Sequence, residues 1–395
     1  MNNKKRFLQG ALCGALVAFI ISFTISKTDD LISLLRMTSG TEYNTEEKIE
    51  LIDSLIEKNY LYQDEIDEEA MAEGLYAGYV SGLGDPYSVY YTEEEANELL
   101  ESMSGEYSGV GAVLSQDYTT YAVTITNVYK GSPAEEAGLQ AGDIIYQVDD
   151  YEITDQDLDE IVTWIRGDEG TQVHIHVIRD GELLEMVATR RIIQAETVEY
   201  EMKDNQIGYI RVTEFDTVTY EQFKVALDDL ELQGMKGLVI DLRSNPGGSL
   251  DIVVKMLDLI LPEGVSVSMV TTSGETMEFT SDAENEFTKP LTVLVDAYSA
   301  SASEIFAGAI QDYEKGEIVG TTTYGKGVVQ NIVGLGDGSY LKLTIAEYFL
   351  PSGRSINEAG ITPDVEVAYE YDENNPEADN QLEKALEIVE QKINN

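Results

Sequence analysis

Cysteine is nearly absent. The sequence holds one, Cys13, among 395 residues, and it lies inside an uncharged run near the amino terminus. Beyond that run no disulfide and no thiol chemistry is available. Histidine is almost as scarce. His174 and His176 sit together in a stretch that alternates apolar and polar residues, far in sequence from the serine-rich segment near residue 300. A Ser-His-Asp triad is therefore disfavoured. The two histidines read more simply as solvent-facing strand residues than as a catalytic base or a metal pair. Cations are few as well: 25 Lys and Arg stand against 74 Asp and Glu, a net charge of −49. Such a surface repels nucleic acid and anionic lipid, which excludes nucleic-acid binding as a function class.

What the sequence does have begins at its start. Lys4, Lys5 and Arg6 precede residues 7–26, which carry no charge. As a helix that run would span roughly 30 Å, the thickness of the hydrocarbon core. The basic flank predicts N-in, C-out orientation: a cytoplasmic tip and transmembrane anchor over 1–27, single-pass in the cell membrane, with the rest extracytoplasmic. A cleaved signal peptide is the alternative, and no small-x-small site stands near Ser26–Thr28 to support it.

A linker and helical region follow over 28–104. Ile49, Ile52, Leu55 and Ile56 recur at helical spacing. Gly82-Leu83-Gly84-Asp85-Pro86 breaks the pattern, and Thr92 with Glu95 has the spacing of a capping box. From 105 to 190 the period changes to two, as in Val173, Ile175 and Val177. This predicts a small β-rich domain with two helices, one of them carrying Leu158, Ile161, Val162 and Ile165 on one face. From 191 to 395 short apolar strands alternate with helices, predicting a mainly parallel sheet covered by helices. The tail, 381–393, reads as one more amphipathic helix.

Two strand-to-helix crossings are where such a sheet places its ligand site. The first holds Asn245-Pro246-Gly247-Gly248-Ser249. Its glycines would let backbone amides approach a ligand or stabilise an oxyanion, or simply make a turn. The second holds Ser299-Ala300-Ser301-Ala302-Ser303-Glu304. A serine at a helix start has free amides beside it for a developing negative charge. Ser301 and Glu304 also have the spacing of a simple cap. With histidine excluded, lysine becomes the candidate base. Lys326, between Gly325 and Gly327, would need burial to lower its amine from about 10.4; a solvated surface lysine is the alternative. Gln330 follows four residues later, about 13 Å away in a straight strand, so contact with Lys326 would require the backbone to turn at Gly327.

These residues, in this order, resemble the carboxyl-terminal processing (tail-specific) serine proteases. The matching pieces are Asn-Pro-Gly-Gly, Ser-Ala-Ser-Ala-Ser-Glu and Gly-Lys-Gly-x-x-Gln, with Gly84-Asp85-Pro86-Tyr87-Ser88 and the segment 348–356. The resemblance runs from about residue 45 to the end. It implies an α+β multidomain chain in which a PDZ domain, 105–190, is inserted before a crotonase/Clp-like α/β protease core, 191–395. It implies Ser301 as nucleophile, being the serine twenty-five residues before the lysine. Lys326 is then the general base and Gln330 its orienting residue, with Ala302, Gly247 and Gly248 supplying oxyanion-hole amides. Tyr107, Ser108, Gly109, Val110 and Gly111 match the PDZ carboxylate-binding loop, although tight packing explains the glycines equally well. Arg166 stands where the family couples the PDZ domain to the active site. The implied activity is cleavage of exported proteins near free C-termini, with no metal or other cofactor and with self-association as a possible homodimer. Two rival readings are a PDZ protein that holds C-termini without cutting, and a crotonase-type acyl-CoA enzyme. The second leaves the PDZ domain and the anchor unexplained.

Overall fold

The computed structural model describes residues 43–282, 284–376 and 378–395. The expected anchor lies outside them. Among the described residues no helix is long and apolar enough to cross a membrane. The chain divides into two units after Ala72. In the first, helix Thr45–Asn59 is closed by a reciprocal cap: the Glu47 amide donates to Asn44 at 2.9 Å and the Asn44 amide to Glu47 at 3.2 Å. None of its residues is buried, despite the apolar spacing of Ile49, Ile52 and Leu55.

In the second unit the predicted Thr92–Glu95 cap opens helix Glu93–Ser104. Strand Glu106–Gly109 then pairs antiparallel with Arg191–Gln194, clamping the entry and exit of the small domain together. Between them lies a six-stranded antiparallel sheet with helices Pro133–Ala137 and Leu158–Ile165. The period of two has its expected result. Val173, Ile175 and Val177 enter the core beside Ile161 and Ile165. His174 and His176 alternate with them, and His174 meets the exposed Glu185 at 2.8 Å.

The larger domain is built on a six-stranded sheet. Ile207–Val212, Gly237–Asp241, Leu291–Val295, Glu317–Gly320 and Val365–Glu366 run parallel, and Val198–Lys203 closes one edge antiparallel. Gly237–Asp241 and Leu291–Val295 are buried at every position, as strands covered on both faces must be. Leu238 and Ile240 pack toward helices Thr219–Leu232, Leu250–Asp258 and Ala302–Asp312. Val239 and Leu294 pack toward the C-terminal helix, Asn380–Ile393. A second, antiparallel sheet has Tyr340–Phe349 as its hub, pairing with Val89–Tyr91, Gly264–Thr271 and Val328–Gly334. Strand Val89–Tyr91, inside the region expected to be helical, is fixed by this distant partner rather than by a local signal.

Asp143 of the small domain is 1% exposed and accepts two bonds of 2.6 Å from Arg179 and one of 2.9 Å from the Gln140 amide. Burial opposes its ionised form, but these donors prevail and hold the carboxyl below the usual range. A depressed folded value means the contribution is full above about pH 4 and is lost as pH falls through that value. Asp143→Ala is expected to cost roughly 3 kcal/mol at pH 7 in chemical denaturation, since it strands a partly buried guanidinium. The deficit should shrink at pH 3; a deficit equal at both pH values would refute the assignment.

Candidate active site

The three serines of the second crossing are sorted by their partners. Ser299 and Ser303 are both fully buried. Ser299 donates its hydroxyl to Leu242 O at 2.8 Å and Ser303 to Asn245 O at 3.0 Å, tying this crossing to the first. Ser301 alone of the three lines the cleft. Its backbone sits at φ 54°, ψ −111°, which costs a non-glycine residue about 1–3 kcal/mol. That strain aims the side chain outward at the start of helix Ala302–Asp312.

The first crossing supplies the other wall. Gly247, at φ 109°, passes so close that a Cβ would stand 2.7 Å from Ala300 O and 2.9 Å from Ser301 Cβ. Only glycine fits there. Its amide, however, donates to Asn245 Oδ1 at 2.8 Å, so Gly247 is not an oxyanion donor and instead gives the approach its clearance. The Gly248 and Ala302 amides have no hydrogen-bond partner among the described residues. They are the pair free to receive a developing oxyanion.

Lys326 reaches the cleft on the loop before strand Val328–Gly334. Burial, helped by the nearby charge of Lys342, lowers its amine from the ordinary lysine value; Asp85 and Glu304 oppose this. The ammonium stands 4.8 Å from the centre of the Tyr87 ring. No hydrogen bond joins it to Ser301. Gln330 lines the same cleft but donates its amide to Thr344 Oγ1 at 3.2 Å rather than to Lys326. A register shift between Val329 and Gln330, not a turn at Gly327 alone, sets its direction.

Glu304 connects the backbones of Ser301 and Lys326. It is 0% exposed. Its carboxylate accepts from the Ser301 amide at 2.9 Å, the Lys326 amide at 2.9 Å, the Gly325 amide at 2.7 Å and the Thr323 hydroxyl at 2.5 Å. Tyr348 adds a second link: its buried hydroxyl donates to Lys326 O and interacts with the Ser301 side chain.

The cleft holds about 590 Å³ and is lined largely by apolar side chains, among them Leu99, Met103, Leu250, Ile305 and Ile332. A second cavity of about 630 Å³, lined by Tyr87, Tyr298, Ala300 and Tyr324, lies across Lys326 and Pro246, which line both. Neither histidine lines either one.

Peptidase family S41 matches residues 206–367, the PDZ domain model 124–179, and the activating protease CtpB N-terminal domain 12–95. The chain is 35% identical over 339 residues to a CtpA-like serine protease of Staphylococcus aureus, covering 85% of this chain and 67% of that one. The chain belongs to the carboxyl-terminal processing protease family. It is also 35% identical to the carboxy-terminal processing protease CtpA of Bacillus subtilis, covering 78% of this chain and 66% of that protein. It spans 65% of a Staphylococcus epidermidis relative, a little under two thirds. A crystal structure assigned to the S41 proteases of Bacteroides fragilis shares the fold, with TM-score 0.53 and 21% identity over 89% of this chain and 99% of that one.

Within this processing-protease chain the PDZ residues are placed as follows. Tyr107, Ser108 and Gly109 lie on the strand paired with Arg191–Gln194. Val110 is buried and its carbonyl accepts from the Ala134 amide at 2.8 Å. Gly111 packs on Ser132 and Gly109 on the Tyr107 ring, so packing accounts for both glycines. Arg166 binds Glu101 at 2.8 Å and covers the Tyr107 ring at 4.8 Å; it does not line the cleft. Sequence reasoning took Glu304 for a cap partner and passed over Tyr348 and Asn245 individually, although all three lie in or beside the matching motifs.

Gly247→Ala is expected to lower peptide cleavage at least ~100-fold through displacement of Ser301, with a native circular dichroism spectrum. A rate near wild type would show that the close approach is not needed. Glu304→Gln replaces an acceptor oxygen with an NH₂ facing donors, and should lower kcat. Removing its charge should also move the lysine-dependent limb of the pH–rate profile to lower pH. A limb that stays in place or moves upward would contradict the assignment.

Proposed function

We propose that this chain is a serine endopeptidase that cleaves exported proteins near their C-termini. The observation that carries this is the convergence of Ser301, two unpartnered amides and a depressed lysine amine on one apolar cleft. Neutral Lys326 takes the Ser301 proton as Oγ attacks the scissile carbonyl. The oxyanion is received by the Gly248 and Ala302 amides. Collapse expels the amine, which takes the proton from Lys326, and water then releases the acyl group by the same path. For the transfer the amine must leave the Tyr87 ring for Ser301, and Gln330, which lines the same cleft and would exchange its bond to Thr344, is assigned to orient it. None of these steps uses a metal or cofactor.

The PDZ domain takes the substrate C-terminus at Tyr107–Gly111, where an incoming strand would add to the sheet. Arg166 connects that region to the cleft through Glu101, since Leu99 and Met103 of the same helix line it. We assign 1–27 as an anchor that holds the catalytic part outside the cell membrane, resting on the basic flank and uncharged run. Domain limits of 28–104, 105–190 and 191–395 and a homodimer complete this reading; the apolar spacing on the unburied helix Thr45–Asn59 is compatible with the last.

Residues 28–395 should cleave an unfolded reporter with a free apolar C-terminus, while folded Ser301→Ala and Lys326→Ala are silent. A base must be neutral to act. Cleavage should therefore be lost as pH falls through the lysine value, and that limb should lie below 10.5, the unperturbed value. Cleavage by Ser301→Ala would refute the nucleophile, and loss on chelation would refute the metal-free mechanism. A silent wild type would favour a PDZ protein that only holds C-termini.

A further inference from the structure

Lys342 stands in the cleft without a carboxylate. It lies on strand Tyr340–Phe349, opposite Val89 on one side and Ile332 on the other. Its ammonium donates to the Tyr91 hydroxyl at 2.7 Å and lies 5.2 Å from that ring's centre. No other partner meets it among the described residues. An ammonium has three donors, and the described residues engage one of them. This is unusual here. The chain has 74 carboxylates for 25 Lys and Arg. Among the described residues, Lys326 in the same cleft is the other partly buried lysine with no carboxylate pair, whereas partly buried cations elsewhere are paired: Lys203 with Glu201, Lys315 with Glu286, Arg243 with Asp241 and Asp379. Lys342 shares the cleft with Ser301 and Gln330, among apolar residues that include Ile332 and Ile345. A cation held by a phenol in an apolar-lined cleft is placed to take an anionic ligand, and a peptide brings carboxylates and no other common anion.

We propose that Lys342 is a specificity subsite that binds a carboxylate of the peptide lying in the cleft. The assignment rests on the peptidase reading for its ligand class. The carboxylate comes either from an acidic side chain near the scissile bond or from the peptide's own terminus. The Tyr91 phenol orients the ammonium, and the bond to the ligand is charge-assisted. The selectivity expected for one such bond at a partly solvated site is about tenfold.

Binding to catalytically silent full-length Ser301→Ala, measured by fluorescence anisotropy, separates this from the cleavage reading. Three labelled peptides of one apolar sequence are compared: internal Glu with an amidated end, internal Gln with a free carboxyl end, and internal Gln with an amidated end. At least one carboxylate peptide should bind about tenfold more tightly than the neutral one. Adding Lys342→Met should remove that preference, and adding Lys342→Arg should keep it. The peptide whose preference depends on Lys342 identifies the source of the carboxylate. Any preference carried by the PDZ domain survives Lys342→Met and is thereby set apart. Lys342→Gln serves if Lys342→Met does not fold. No preference, or one indifferent to residue 342, would overturn the proposal. Because no bond is cut, the result stands whether or not Ser301 proves to be the nucleophile.

Discussion

The Glu304 carboxylate is the constraint on which the arrangement of the cleft depends. Ser301 and Lys326 arrive on different loops, one after strand Leu291–Val295 and one after strand Glu317–Gly320. A fully buried carboxylate with four donors cannot move without leaving some of them unmet, at a cost of roughly 1–3 kcal/mol each. It therefore locks the two loops to each other. The lock has an electrostatic consequence: its charge favours the ammonium form of Lys326, the form that cannot act as a base. Burial of the amine and the charge of Lys342 work the other way and prevail. The site is a balance between the anion that positions the lysine and the surroundings that lower its amine from the ordinary value.

Two layers divide the chemistry between them. The parallel sheet delivers Ser301 and the Gly248 and Ala302 amides from the carboxyl ends of its strands, where helix starts and tight turns leave amides unpaired. The antiparallel sheet delivers Gln330, Lys342, Thr344 and Tyr348. Its strand Tyr340–Phe349 joins the Lys326 loop, through Tyr348, to the early strand Val89–Tyr91. The Asp85–Ser88 turn belongs to the same wall. The Ser88 hydroxyl donates to Asp85 at 2.5 Å and accepts from the Thr344 amide at 3.1 Å. A segment distant in sequence from Ser301 thus sets the ring on which Lys326 rests.

Much of this was legible in the residues. Period two in 173–177 and all-apolar runs at 237–241 and 291–295 identify half-buried and fully buried strands, because a side chain's face follows from its position along a strand. The glycine, serine and lysine motifs singled out in the sequence meet at one cleft. Less could be read from single residues. Gly247 and Gly248 look equivalent in sequence, yet one amide is taken by Asn245 and the other is free. Glu304 looks like a cap, since the spacing that closes a helix start is the same spacing that lets its second oxygen reach another loop. Gln330 shares a cleft with Lys326 but bonds Thr344, because a bulge redirects it.

The sequence by itself determined the chemistry available: no thiol beyond Cys13, two histidines far from the serine-rich segment, a serine at a helix start and a lysine between glycines. It also determined the local elements, whose periodicity and caps depend on neighbours a few residues away. Tertiary structure alone decided which of three serines faces the cleft, which glycine amide stays free, and how far the lysine amine is dried. Those outcomes depend on groups brought together from residues far apart in the chain, and hydrogen-bond satisfaction and desolvation exist only once such groups meet.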